Sequence, residues 1–292
     1  TGASNVAVGR SALTANTTGA QNTAVGGRSQ EATTTGADNT SVGWGSLVLN
    51  TTGASNTALG RSSLAANTSA ANNTTAGANS MQANTTGASN AAFGKGALAS
   101  NTTASNNTAV GFESLVSNTT GVNNTAVGFE AGKAVTTGPS NTFMGSFSGN
   151  TVTTGTVNSG FGYASLSGMT GAASTNTGLG YAAGSSITSG SNNIAIGAQA
   201  LNTGRPGGQI TTQSNQIGMG TGDHTHAYIQ IDWTISSDAR DKTDFTPLDL
   251  GLDFVNALAP MTYRWDKRFK YGDITADDYD LSAQILVLKL KK

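Results

Sequence analysis

One asparagine recurs every 17 residues over more than half of the chain, and this period constrains the fold more than any other feature. A glycine follows each asparagine by four residues, and the last two copies come after a single-residue insertion. The asparagines are Asn5, Asn22, Asn39, Asn56, Asn73, Asn90, Asn107, Asn124, Asn141, Asn158, Asn176 and Asn193. A fixed period over this length indicates identical structural units stacked along one direction.

The sequence of the unit favours β-structure. Each copy reads approximately T-T-G-A-x-N-T-A-V-G-x-x-x-L-x-x-N. Helical repeats need about 33 residues or more, so this unit is too short to hold two helices. Short extended segments separated by glycine suit a parallel β-coil, and the twelve copies, stacked at roughly 4.8 Å, give a shaft on the order of 60 Å. We therefore predict an all-β fold, a parallel β-roll or β-solenoid, over residues 1–203.

Two positions of the unit are apolar, and we expect each coil to turn one residue of each column inward. The first column stands just before the glycine and comprises Val8, Val25, Val42, Leu59, Ala76, Phe93, Val110, Val127, Met144, Phe161, Leu179 and Ile196. The second stands four residues after the glycine and includes Leu13, Leu47, Leu64, Met81, Leu98, Leu115, Leu166 and Leu201.

The repeated polar and glycine positions have structural explanations. Stacked asparagines form amide ladders, so we expect each asparagine to bond its copies in the coils above and below. The glycines suit corners that need a positive φ or a close backbone approach. N-linked glycosylation is the alternative for the N-T-T sequons. These begin at Asn16, Asn50, Asn84, Asn101 and Asn118.

Composition excludes several classes of protein. Only 10 of the 31 charged residues lie in residues 1–222, so the repeats form a nearly neutral shaft. The net charge is −1 with no basic stripe, which argues against nucleic-acid binding. Cysteine is absent, which removes disulfides and thiolate chemistry. No apolar run is long enough to span a membrane.

A single coil of this composition is too thin to be stable alone. Two apolar side chains per unit bury too little area, at roughly 25 cal/mol per Å², to offset the ordering of the backbone. We predict a homotrimer of parallel chains around a threefold axis, with the second apolar column turned toward the neighbouring chains.

The cadence N-x-A-V/I-G-x-x-x-L, clearest from Asn193 to Leu201, resembles the head repeats of trimeric autotransporter adhesins. Those heads are left-handed parallel β-rolls assembled as trimers, and the same cadence is familiar in bacteriophage tail fibres. The resemblance covers residues 1–203. It implies the architecture and says little about the ligand.

The residue after each glycine forms a third column, rich in basic and aromatic side chains. Such a line could stack on sugar rings, with Trp44 as the first residue to test, or it could pack between the chains of a trimer. The column comprises Arg10, Gly27, Trp44, Arg61, Ala78, Lys95, Phe112, Phe129, Ser146, Tyr163, Tyr181 and Ala198.

The period ends near Thr203, and we predict a β-rich junction over residues 204–235. Short strands are expected at Gln216–Met219 and Ala227–Ile235. His224 and His226 lie between them and share one face of an extended segment. In a parallel trimer their six imidazoles could hold a transition metal octahedrally on the axis. The alternative is a pair of solvated or hydrogen-bonded loop histidines.

Residues 236–292 are far more charged and carry helix signals. Thr246 followed by proline and an acid predicts the start of a helix, which we expect to run through Leu258 and to end before Pro260. A strand is expected over Met261–Trp265.

The string S-S-D-x-R-x-K-T-D, followed by P-L-D-L-G-L-D-F-V-N-A-L-x-P-x-x-Y-R-W, closely resembles the start of the intramolecular chaperone domain of phage endosialidases and tail fibres. The resemblance implies that this segment drives trimerisation of the β-fibre before it and then releases itself by autoproteolysis. The implied cut lies between Ser236 and Ser237, with Ser237 as nucleophile and Lys242 as its base. Lysine can serve this role when partly desolvated. A surface loop is the alternative for an isolated serine and lysine.

Members of that family continue well beyond this point, whereas here the chain closes on the apolar run from Leu281 to Lys292. We expect this ending to be a truncation or frame change that leaves the run without a partner. The sequence therefore leaves open whether cleavage takes place in this chain.

The leading functional hypothesis is the distal part of a phage tail fibre: an extracellular virion protein that recognises a host glycan or protein receptor and contacts other tail proteins. It needs no cofactor and has no enzyme activity on external substrates. The first alternative is a trimeric adhesin head on a bacterial surface. A remote alternative is an ice-binding solenoid, because Thr17-Thr18, Thr34-Thr35 and Thr51-Thr52 recur along one edge.

Overall fold

The computed structural model describes residues 2–202, 209–221 and 223, and the backbone of residues 258–264 and 284–290. The chain divides into two compact units, Thr1–Ala227 and Tyr228–Lys292. In the described part there is no helix.

The first unit is a parallel β-solenoid. Thirteen strands of three residues form one sheet in which every strand pairs with the next strand along the chain. Most partners lie 17 residues apart, as in Thr108↔Thr125, so one repeat makes one coil. The strands are β1 Val6–Val8, β2 Thr23–Val25, β3 Thr40–Val42, β4 Thr57–Leu59, β5 Thr74–Ala76, β6 Ala91–Phe93, β7 Thr108–Val110, β8 Thr125–Val127, β9 Thr142–Met144, β10 Ser159–Phe161, β11 Thr177–Leu179, β12 Ile194–Ile196 and β13 Ile217–Met219. The predicted all-β solenoid is confirmed.

The interior of the coil differs from the prediction. The middle residue of each strand from β2 onward is buried, and the residue just before the glycine faces out. Val8 is 57% exposed and Leu179 is 50% exposed. The expectation that the first apolar column points inward was wrong, because successive strand residues alternate in direction and the middle residue, most often alanine, takes the inner place.

The second apolar column lies in the core wherever a leucine or methionine occupies the position. Leu47, Leu98 and Leu166 are fully buried inside their own chain. They are therefore not available to neighbouring chains, and the prediction that this column faces them was also wrong. The residues of this column have a positive φ, which is 51° at Leu98, and the chain turns sharply at each of them.

The recurring asparagine forms the predicted ladder between coils. The backbone N–H of Asn141 donates to Oδ1 of Asn124 at 2.9 Å, and Nδ2 of Asn124 donates to the carbonyl oxygen of Gly138, also at 2.9 Å. The same pattern of an N–H bond to the preceding asparagine runs from Asn22 to Asn193. Each buried carboxamide thus ties its own coil to the next one.

A second asparagine ladder lies six residues before the first. Nδ2 of Asn84 donates to Oδ1 of Asn67 at 3.0 Å, and Nδ2 of Asn101 donates to Oδ1 of Asn84 at 2.8 Å. Asn50 and Asn118 continue it, and all five side chains are fully buried. These include four of the five sequon asparagines, so their amides are inaccessible to a glycan and the glycosylation alternative is wrong for them. Asn16, in the first coil, is half-buried and donates to the carbonyl of Gly19 at 3.0 Å.

The core becomes apolar toward the C-terminal end of the shaft. Beyond Asn118 the second ladder is replaced by buried Val135 and Val152, so Oδ1 of Asn118 has no hydrogen-bond partner. In the same region Phe143 takes the inner strand position. Its ring fits because Gly149 stands where other coils place leucine, and a Cβ there would overlap the ring. Stacking therefore tolerates exchanges of volume between two inner positions of the same coil.

The parallel ladder continues past residue 203. β13 pairs with β12 in register Ile194↔Ile217, a separation of 23 residues instead of 17. The additional residues lie between Asn202 and Gln209, where residues 203–208 are outside the described part of the chain. The strand expected at Gln216–Met219 is thus the last described coil of the solenoid.

In the second unit, β14 Leu258–Arg264 pairs antiparallel with β15 Gln284–Leu290. The strand expected near Met261 is confirmed, but it begins at Leu258, so the predicted helix does not reach that residue. The apolar run at the end of the chain was expected to lack a partner, and this was wrong. Its residues pair with β14 along the whole strand, as in Tyr263↔Ile285.

The corner glycines provide a direct test of the stacking. Gly60 has φ +129°, and a Cβ at this position would lie 2.6 Å from the carbonyl oxygen of Gly77 in the next coil. We expect Gly60→Ala to lower the free energy of unfolding by about 3 kcal/mol, because a disallowed φ and a backbone clash coincide. Thermal unfolding followed by far-UV circular dichroism measures this.

Gly171→Ala is the matched control. Gly171 also has a positive φ, 61°, but a Cβ there would meet nothing within 4 Å. We expect a loss of about 1 kcal/mol from backbone strain alone. Equal losses in the two variants would show that close approach of the coils does not explain the glycine column.

Candidate interaction surface

The residues predicted to bind a metal or to carry out self-cleavage lie outside the described part of the chain. These are His224 and His226, proposed for an axial metal, and Ser236, Ser237 and Lys242, proposed for self-cleavage. Both hypotheses stay predictions. Among the described residues there is no group of three or more histidine, cysteine, aspartate or glutamate side chains arranged to hold a metal ion. That part of the chain also contains no helix long and apolar enough to cross a bilayer.

The most distinctive surface of the shaft is a line of apolar side chains on the outer face of the sheet, here termed the strand-face column. It consists of the residues just before the corner glycines, continued by Met219 in β13. None of them is buried, and Val42, Phe93, Met144 and Ile196 are each about two-fifths exposed. Contiguous apolar surface of this kind marks an interaction site in soluble proteins. This column is therefore the first candidate for contact with another molecule.

The residue after each corner glycine forms a second line beside it, here termed the corner column. Its C-terminal half is aromatic, and the rings contact each other from coil to coil. Phe112 and Phe129 have centroids 5.3 Å apart and planes at 10°, and Tyr163 and Tyr181 are 5.6 Å apart at 8°. Phe147, one position further along its coil, joins the two pairs edge to face at 5.2 and 5.7 Å.

This ring geometry bears on the two explanations of the column. Near-parallel rings one coil apart turn their faces toward each other, so the inner faces of the Phe112–Phe129 and Tyr163–Tyr181 pairs are covered. A sugar stacks on a free ring face, whereas edges and offset rings pack well against other apolar groups. The aromatic half of the corner column thus favours packing against protein over stacking on sugars.

The N-terminal half of the corner column has a different character. Arg10, Arg61 and Lys95 are exposed, and Trp44 is 53% exposed. The Arg28 guanidinium lies 5.9 Å from the centre of the Trp44 ring, within the range of a cation–π contact. Cations and one exposed aromatic ring therefore alternate with small residues along this half.

Ion pairs on the shaft involve other positions. Nε of Arg28 lies 2.6 Å from a carboxylate oxygen of Glu31. Nζ of Lys133 lies 2.9 Å from Glu130 and 3.0 Å from Glu113 in the preceding coil. Hydrogen bonds to Glu130 and then Glu113 raise the pKa of Lys133, so this contribution to stability is complete at neutral pH and is lost as the pH rises through that pKa.

The threonine pairs do not form a doubled hydroxyl array. Oγ1 of the first threonine donates to a backbone carbonyl in the next coil, as Thr51 does to Thr68 at 3.0 Å and Thr85 does to Thr102 at 3.0 Å. After the first coil, where Thr17 and Thr18 are both exposed, only the second threonine of each pair, such as Thr86, is exposed. One free hydroxyl column gives little support to the ice-binding alternative.

Comparisons with known proteins identify only the C-terminal segment. A family model described as the chaperone of endosialidase matches residues 237–282. The match begins at Ser237, the residue on the C-terminal side of the predicted cut, and includes β14. No curated protein and no solved structure matches the chain. The chain thus combines a long β-solenoid with a C-terminal segment similar to a known assembly chaperone.

Proposed function

We propose that this chain is a structural fibre protein of a phage tail, acting as a trimer that contacts the host surface. The observation that carries the proposal is the order of its two parts. A solenoid of thirteen strands precedes a segment that matches the chaperone of endosialidase over residues 237–282. Such a fibre is extracellular, belongs to the virion, and contacts other tail proteins and a host glycan or protein receptor.

The strand-face column supports self-association. A solenoid coil is too thin to bury both apolar columns, and the structure places leucines inside and the strand-face column outside. Covering that outer column with two identical chains removes apolar surface from water along the whole shaft. Parallel association around one axis suits this surface, because each coil then meets the same coil of its neighbours.

The aromatic half of the corner column adjoins the strand-face column in sequence, with only the corner glycine between them. We propose that both belong to the contact between chains. The rings of Phe129 and Tyr181 are 43% and 54% exposed in the single chain and have edges available for a neighbour.

A bacterial surface adhesin with the same type of head is the second candidate, supported by the repeat cadence. The chaperone match favours the phage fibre, because the segment that it identifies lies directly after the solenoid. An antibody against the repeat that decorates tail fibres on virions would support the fibre, and one that labels only bacterial cells would support the adhesin.

Sedimentation of the full chain tests the association. We expect wild-type protein to sediment as a trimer. Leu179→Glu combined with Ile196→Glu places two carboxylates on adjacent coils of the strand-face column, and burying unpaired charges is costly. We expect this variant to sediment as a monomer or to associate at least about tenfold more weakly, with its β-type circular dichroism retained.

Thr86→Glu combined with Thr103→Glu is the control, because it adds the same charges to two exposed residues on adjacent coils of the threonine column. This variant should remain trimeric. A stable monomer of the wild-type chain would contradict the proposal.

We also propose that Ser237 and Lys242 carry out self-cleavage after assembly. Oγ of Ser237 attacks the carbonyl carbon of Ser236 while Lys242 accepts the hydroxyl proton. The peptide C–N bond breaks as an ester forms and the amine takes up a proton. Water then hydrolyses the ester and leaves a carboxylate on Ser236. The support is the family match, which begins at Ser237.

Mass spectrometry of the purified chain tests this step. The intact chain has a mass of 29.2 kDa. We expect a shaft fragment that ends at Ser236 in the wild type, and only the intact chain in Ser237→Ala and Lys242→Met. Ser236→Ala leaves the nucleophile in place and should still be cleaved. An intact wild-type chain under assembling conditions would contradict self-cleavage without affecting the proposed fibre.

A further inference from the structure

We propose that the N-terminal half of the corner column binds an acidic polysaccharide that lies along the shaft. The proposed site, here termed the basic line, consists of Arg10, Trp44, Arg61 and Lys95. This inference rests on the proposed contact with a host surface and names the chemical class of the ligand and its place on the fibre.

The fold arranges these four residues in a straight line. Each follows the corner glycine of its coil, so they stand on coils one, three, four and six of the solenoid. At roughly 4.8 Å per coil, Lys95 and Arg61 are about 10 Å apart and Arg61 and Arg10 about 14 Å apart. Gly27 and Ala78 occupy the coils between, which leaves space beside the long side chains.

The cations of the basic line lack acidic partners within the described residues. Of the five acids in that part of the chain, Glu31 pairs with Arg28, and Glu113 and Glu130 pair with Lys133. The remaining two are Asp38 and Asp223, and neither forms an ion pair there. Arg10, Arg61 and Lys95 form no ion pair in the described part, and Nζ of Lys95 lies 5.6 Å from the centre of the Phe112 ring.

This charge inventory separates the basic line from the aromatic half of the same column. Packing three identical chains through Arg10, Arg61 and Lys95 would bring like charges together and remove them from water. Among the described residues, few unpaired acids are available on a neighbouring copy to compensate them. The basic line therefore faces solvent in an assembly of three chains, and an external anion is the partner that its charge fits.

Trp44 specifies the kind of anion. Its indole is 53% exposed, and Gly27, which precedes it in the corner column, has no side chain to cover the ring. The Arg28 guanidinium of that coil lies 5.9 Å from the ring centre and adds a further cation beside it. The apolar C–H face of a sugar packs well against such a ring, while carboxylates or sulfates on neighbouring sugars reach guanidinium groups. A pyranose ring also advances a linear polysaccharide by nearly one strand spacing, so the repeats of chain and ligand are compatible.

A nucleic acid fits less well. Nucleic-acid affinity depends mainly on neutralising many phosphates, whereas the basic line offers three cations on a chain with a net charge of −1. Binding of duplex DNA is therefore an outcome that the experiment has to separate from polysaccharide binding.

The test measures binding of full-length protein to immobilised polygalacturonate, with neutral dextran as the reference surface. We expect wild-type protein to bind polygalacturonate and not dextran. The binding to polygalacturonate should weaken as the NaCl concentration is raised. Arg10→Gln, Arg61→Gln and Lys95→Gln combined should weaken binding by about tenfold, because each exposed charge pair contributes modestly. Trp44→Ala should weaken binding while leaving the salt dependence unchanged.

Lys133→Gln is the matched control, because it also removes a surface cation but one already paired with two glutamates. It should bind as the wild type does. Unchanged binding by the triple variant, no binding by the wild type, or displacement by duplex DNA at equal charge concentration would each overturn the inference. Sedimentation of the same samples keeps the two proposals distinct: a trimer that does not bind refutes only the basic line.

Discussion

The buried asparagine carboxamide is the interaction on which the rest of this structure depends. Asn124 uses its oxygen to accept the backbone N–H of Asn141 and its Nδ2 to reach the carbonyl of Gly138. A single side chain therefore satisfies backbone groups that a coil so narrow could not pair through its short strands. Because buried polar groups are costly when unpaired, each coil is stable only when the next one is stacked in register.

The surface follows from this narrow interior. Asparagine, serine, alanine and leucine fill most of the inside, and the residues of the strand-face and corner columns lie outside. Repetition then converts single exposed residues into continuous lines. Where the line is apolar or aromatic it suits a neighbouring chain, and where it carries unpaired cations it suits a linear anion. The proposed function thus follows from which side chains the repeat places on the surface: apolar and aromatic ones for the neighbouring chains, and cations for the ligand.

Much of this fold is predictable from the period of the sequence, including the parallel coil, the first asparagine ladder and the glycine corners. The outward direction of the strand-face column was not predictable in this way. Hydrophobicity alone favours placing Val42 inside, whereas a three-residue strand turns only its middle residue into the core. The second ladder was hidden by its match to a glycosylation sequon. Left-handed corners at residues other than glycine, such as Ser55 and Leu64, were also missed. A signal for the left-handed corner at Ser55 was available, because serine, asparagine and aspartate recur at the position just before the ladder asparagine.

The most direct test of the central claim compares two adjacent asparagines. Asn124→Ala removes a ladder carboxamide, leaves the Asn141 N–H without its acceptor and removes the 2.9 Å hydrogen bond to the Gly138 carbonyl. The account therefore predicts a loss of about 3 kcal/mol in the free energy of unfolding. Asn123→Gly alters an exposed neighbour whose positive φ, 60°, glycine also accepts, and should change it little. Equal unfolding midpoints for Asn124→Ala and the wild type, measured by denaturant titration, would contradict the account.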